Sequence, residues 1–148
     1  MRHPLHPALV HFPVACWSLG TAADLAGRHW GIPAWRLGGL LLAVGTLMAL
    51  PAMLAGFYEL TRLADDSPAT RDVYLPLTVA LVATTLYATA LLLRWRGGAL
   101  TAPGASGIAL DLAGFAALAV AGWLGGRLVY GHRLGGDDAP ASPSTLRE

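Results

Sequence analysis

Four long apolar runs, separated by short polar stretches, divide the chain. They extend from about Pro7 to Ala26, Ala34 to Tyr58, Val73 to Arg94 and Gly107 to Tyr130. Each supplies roughly 20 apolar residues, enough for a helix to cross a hydrocarbon core of about 30 Å. A helix also bonds all of its own backbone, which lipid cannot do. The pattern predicts an all-α fold: an integral membrane four-helix up-and-down bundle over residues 1–134 with short loops, followed by a disordered Gly-, Asp-, Pro- and Ser-rich tail over 135–148. Pro7 suits a first helical position. Pro13 lies inside the first helix and should kink it, freeing the Leu9 carbonyl. Asp24, Gly27 and Arg28 mark its end; Pro33 precedes the second helix and Pro51 falls inside it. The first run reads as a retained helix rather than a signal peptide, because only Arg2 precedes it and His3, His6, His11, Pro7 and Pro13 interrupt it.

Four crossings put both termini on one side of the membrane, side A, together with the Glu59–Asp72 loop; the other two loops lie on side B. The aromatics agree with these spans. Trp30, Trp35 and Trp95 fall at the side B boundary, and Tyr58, Tyr74 and Tyr130 at side A. Side A carries Arg2, Arg62, Arg71, Arg127, Arg133 and Arg147, against Arg28, Arg36, Arg94 and Arg96 on side B, a margin too small to fix which side faces the cytoplasm.

Composition strengthens the membrane reading. Apolar residues make up 55% and charged residues 13%, too few charges to build a water-facing surface. The net charge of +1 comes with no basic stripe, which excludes nucleic acid as a partner. Cys16 is the one cysteine, so an internal disulfide, a c-type haem attachment and a thiolate metal site are excluded; it reads as an inert buried thiol. No hydrolytic triad, P-loop or dinucleotide fingerprint is present, and no repeat marks an inverted-repeat transporter. No catalytic activity of the chain's own is indicated.

The candidate chemistry is histidine. His3, His6, His11 and His132 fall on or just under side A, with His29 alone on side B. A histidine more than a turn inside an apolar helix, as His11 is, is costly and marks a functional hypothesis. His11, Ala15, Ser18 and Ala22 share one face of the first helix. On the fourth, Ala113, Ala117, Ala121 and Gly125 form a ladder of small residues, with His132 seven residues further on. First and fourth helices are neighbours in an up-and-down bundle. These stripes read in two ways: as close helix packing, or as a groove for a flat apolar ligand held by the histidines. Haem b fits the second, needing one or two imidazoles and an apolar slot, with Arg2, Arg127 or Arg133 available to its propionates. Zinc or copper on His3, His6, His11 and His132 is a further option. On side B, Asp24 and Asp111 lie near helix ends among Arg28, Arg36, Arg94 and Arg96, which reads as ion pairing that stabilises the loops. No acid lies at mid-membrane to support a proton path.

The opening HPLHPALVHFPVACWSLGTAADL, His3 to Leu25, resembles the bacterial membrane family of domain of unknown function 2231, which opens with HP-x-LVHFP and keeps an Asp near the end of helix one, here Asp24. The segment GWLGGRLVYGHRLGG, Gly122 to Gly136, is similar to that family's GWLGG-x-LVY-x-HG ending, and LPAMLAGFYEL, Leu50 to Leu60, to its weaker second-helix end. The resemblance implies a small four-helix membrane protein. It also implies a place in membrane electron transfer, since some members are joined to Rieske-type or cytochrome-c-like domains. The matching histidines are His6, His11 and His132, with Gly125 and Gly126 as a close-packing pair. Two departures stand out. RDVYLPLT, with Tyr74, occupies a region where many members carry another histidine, and Arg133 follows His132 where Gly is common. The first leaves ligands for one haem at most.

The combined expectation is a bacterial inner-membrane protein in which His11 and His132 ligate the iron of one b-type haem, with His6 as substitute or supporting partner. It would exchange electrons with a quinone, a cytochrome or partner subunits in a redox assembly. The rivals are a non-redox scaffold subunit with structural histidines and a metal-binding membrane protein or small-solute permease, the last needing a polar path from Thr46, Thr78, Thr84 and Thr85.

Overall fold

The computed structural model describes residues 5–60 and 68–131, with side chains over 10–58 and 74–127. Four helices account for nearly all of it: α1 Leu5–Trp30, α2 Ile32–Leu60, α3 Pro68–Arg94 and α4 Ala105–Gly131. Each is longer than its apolar run. By length and composition three are apolar enough to cross a membrane, over Ile32–Tyr58, Tyr74–Arg94 and Ala105–Arg127. α1 is not among them. Its 26 residues would extend ~39 Å at 1.5 Å per residue, but it carries Thr21, Asp24, Arg28 and His29.

The connections are tighter than expected. α1 continues past Gly27 and Arg28 to Trp30, and Gly31 alone separates it from α2. Gly31 has φ 68° and its N–H donates to the Gly27 carbonyl at 2.8 Å, a glycine ending of the kind a helix favours because no Cβ opposes the left-handed backbone. α3 and α4 are joined through a small hairpin in which β1, Trp95–Arg96, pairs antiparallel with β2, Ala99–Leu100. Gly97 and Gly98, at φ 57° and 81°, make its turn, the two-positive-φ geometry that suits strand twist. Prolines 13, 51 and 76 all lie inside continuous helices. The disordered tail expected from residue 135 lies outside the described residues.

α1 packs chiefly on α2 and α3 on α4, with lighter contact of α2 with α3 and α1 with α4. The buried positions follow one spacing. Trp17, Gly20, Thr21, Asp24 and Gly27 are buried on α1; Gly38, Leu42, Gly45, Ala49 and Ala52 on α2; Ala83, Tyr87, Ala90 and Arg94 on α3; Gly107, Asp111 and Gly114 on α4. Alternating three- and four-residue steps keep such a stripe toward its partners at shallow crossing angles. The stripes are rich in Gly and Ala because helices in lipid gain little from hiding apolar surface and depend on close backbone approach. A Cβ on Gly20 would lie 3.3 Å from the Gly38 carbonyl oxygen, and one on Gly45 2.8 Å from the Trp17 ring. The outward faces are apolar: Leu40, Leu47 and Leu54 project from α2 at 58%, 61% and 71% exposure, a surface suited to acyl chains.

Candidate functional site

The charged groups of the interior gather at the end of the helices that carries the hairpin. Asp24 on α1, Arg94 at the end of α3 and Asp111 on α4 are each 1% exposed. Arg94 turns back among the helices and donates in three directions: from Nη1 to Asp24 Oδ2 at 2.5 Å, from Nη2 to the Trp35 carbonyl of α2 at 2.6 Å, and from Nε to the Thr101 carbonyl at 3.1 Å. Its own carbonyl accepts from the Thr101 N–H and hydroxyl. One guanidinium thus ties α1 and α2 to the segment after the hairpin, using the fixed fork of donors that a lysine lacks.

The sequence makes room for this cluster with glycine. A Cβ on Gly38 would collide with the Asp24 carboxylate, and one on Gly39 would stand 3.3 Å from Arg94 Nη2. Asp111 completes the group from α4, its carboxyl beside that of Asp24. Both Asp111 oxygens and Asp24 Oδ1 lack a hydrogen-bond donor among the described residues.

A second polar layer lies one turn deeper. The Thr21 hydroxyl donates to the Trp17 carbonyl at 3.0 Å, so at its 3.0 Å contact with the Tyr87 hydroxyl it accepts and Tyr87 donates. The Tyr87 ring stacks on Trp17, with centroids 5.0 Å apart and planes 9° apart, and packs where a Cβ on Gly114 would lie. Trp17 Nε1 donates to Thr46 Oγ1 at 3.2 Å. Below the charges, the centre is therefore filled by Trp17, Tyr87, Leu42 and Ala49.

Of the expected histidine groove, the described residues include only part. His11 is exposed, and so are Ala15 and Ala22, while Ser18 is half-buried. At 100° per residue their stripe points almost directly away from the face that buries Trp17, Gly20 and Asp24. Gly125 and Gly126 are half-buried with open space where a side chain would stand. Arg127 is exposed, over the Trp123 ring at 4.9 Å. His6 falls in α1, its side chain outside the described residues, as are His3, His132 and Arg133. Among the described residues no group of three or more His, Cys, Asp or Glu could hold a metal ion. The hydroxyls of Thr78, Thr84 and Thr85 donate to the carbonyls four residues earlier in α3.

Of the side B residues, Asp24 and Arg94 pair as the sequence suggests, but inside the protein rather than in the loops; Arg28, Arg36 and Arg96 are exposed. Sequence reasoning missed Thr21 and Tyr87. Their signal was phase: Trp17, Thr21 and Asp24 share one face of α1, as Tyr87 and Arg94 share one face of α3.

Neither a curated protein nor a solved structure matches the chain. The family described as predicted membrane protein (DUF2231) matches residues 2–138. The match covers the helices, the glycine-lined ionic cluster and the histidine motifs alike, and the chain belongs to this family of predicted membrane proteins.

Proposed function

We propose that the chain is a non-redox membrane subunit of four crossings, an up-and-down bundle of the bacterial inner membrane with both termini on one side, which presents a fixed helical frame to its neighbours. The observation that carries this reading is the inward matching of polar groups. Arg94 bonds Asp24 and two carbonyls, Thr21 bonds Tyr87, and Trp17 bonds Thr46, while the outward surface is mostly apolar. This also supports α1 as the fourth crossing, since Thr21 and Asp24 need no water once they face the other helices.

The second reading is a b-type haem passing electrons to a quinone, a cytochrome or a partner subunit. One observation favours it. Gly122, Gly125 and Gly126 leave open space on α4, and Gly125 lies ~21 Å along its helix from Asp111, much as His11 lies ~20 Å from Asp24, so the two are level. The packed centre does not fit a porphyrin. A haem would lie at the rim, with His11 and His132 as ligands, His6 in support and Arg127 or Arg133 toward its propionates. A reduced-minus-oxidised visible spectrum of protein purified in mild detergent from haem-replete cells separates the readings. A folded, colourless protein is expected. Sharp b-type bands that disappear in His11→Ala and His132→Ala would overturn the scaffold reading in favour of haem. Metal analysis of the same sample tests a zinc or copper site.

A further inference from the structure

We propose that Asp24 and Asp111 together hold one proton, and that this proton exchanges with the membrane surface at the hairpin end through a cavity beside Arg94. Three ionisable side chains meet here from α1, α3 and α4, all 1% exposed. Two are acids and one is a base. Fully ionised, the cluster would bury a net negative charge, which is far more costly than burying a neutral set. Hydrogen bonding points the same way. The three bonds of Arg94 go to Asp24 Oδ2 and to two backbone carbonyls, and none reaches Asp111. The Asp111 and Asp24 carboxyls are neighbours, and both Asp111 oxygens and Asp24 Oδ1 lack a donor among the described residues. A proton on one Asp111 oxygen turns that acceptor into a donor for Asp24 Oδ1, reduces the three oxygens without a partner to one and makes the cluster neutral.

Among the described residues, no other charged group faces the pair. α1 contributes Asp24 and the neutral Thr21; α2 contributes the Trp35 carbonyl and Gly38; α3 contributes Arg94 and the Tyr87 hydroxyl; α4 contributes Asp111. Arg28, His29, Arg36 and Arg96 are exposed. A divalent cation is a poor alternative, because the guanidinium would repel it at close range. A cavity of ≈ 400 Å³, lined by Arg94, Arg96, Thr101, Ser106 and Gly107 but by neither aspartate, opens beside the guanidinium, and the proton would reach it past Arg94 and Gly107. Gly107 stands one helical turn before Asp111 on the same face of α4. The ligand is thus the simplest one, H⁺, and the site is independent of whether the protein also binds haem.

Infrared spectroscopy of the full chain in phosphatidylcholine vesicles tests the proposal. At neutral pH, the wild type is expected to show the carbonyl stretch of a protonated carboxyl. That band should shift when aspartate is ¹³C-labelled at its side chain, and shift again on transfer to D₂O. Asp111→Asn keeps the shape and the donor, so it should fold as the wild type does and lose the band; Asp24→Asn should lose it too. Absence of any aspartate-derived band in the wild type overturns the proposal without recourse to a variant. So does a band that survives both substitutions, or one that appears only when sodium is withdrawn, which would identify a bound cation. A band that ignores D₂O overturns the exchange through the cavity.

Discussion

At the scale of single residues, Arg94 is the position on which the interior depends most. Removing it would leave the buried Asp24 carboxylate without its counter-charge and the Trp35 and Thr101 carbonyls without their donor. Loss of one partner from a buried ion pair costs about 3–5 kcal/mol. Arg94→Ala is therefore expected to lower stability by that order in reversible unfolding from mixed micelles. Arg94→Lys should fall between it and the wild type, since an ammonium keeps the charge but not the three-way fork. Arg96→Ala, two residues on and exposed, should change stability by less than about 0.5 kcal/mol. The sequence offered four arginines at this end of the helices and no direct means of choosing among them. What distinguishes Arg94 is its phase, four residues after Ala90 and seven after Tyr87, which continues the buried stripe of α3. The charge itself was legible; the direction in which it turns depended on a glycine pair in another helix.

At the scale of the helix, close approach is decided by glycines whose sequence context looks alike. The α4 ladder of Ala113, Ala117, Ala121 and Gly125 stands out in the sequence, yet the tighter contacts run along α2 through Gly38, Gly45, Ala49 and Ala52. Small residues are so frequent in both helices that spacing alone could not separate a packing face from a lipid face. Substitution separates them. Gly38→Ala drives a methyl group into the Asp24 carboxylate and is expected to cost about 1–3 kcal/mol, as overpacking does. Gly125→Ala meets open space and should be neutral or slightly stabilising through helix propensity. Thermal unfolding of the two variants side by side measures the difference. Gly27 gives the same lesson about boundaries. It reads as a helix stop, but it is buried against the Trp35 ring, where a Cβ would collide, and the stop falls four residues later at Gly31.

At the scale of the whole molecule, the four helices, their order and the apolar surface were legible from run length and composition, because the bilayer imposes both. The outward placement of His11 was not, since it depends on which face of α1 turns inward, and that is set by Trp17, Thr21 and Asp24. A four-crossing arrangement predicts opposite exposure for the hairpin side and the tail. Cysteine placed at Ala102 and cysteine placed at Ser142 should react with a membrane-impermeant thiol reagent from opposite faces of sealed vesicles; labelling from the same face would remove one crossing. The buried Cys16 gives a low background for this measurement.

The unequal closeness of the helices has a consequence for the integrity of the polypeptide. α1 and α2 are joined through Gly31 and meet across backbone contacts, and α3 and α4 are joined through the glycine turn and meet across Gly114. The two halves communicate largely by side chains: the Asp24–Arg94 pair, the Trp17–Tyr87 stack and the Thr21–Tyr87 bond. A break in the covalent chain between residues 60 and 68 removes none of these. Co-expressed as two fragments, the halves should find each other in the bilayer, so that affinity purification of a tagged first fragment recovers the second. The same experiment with Arg94→Ala should recover much less.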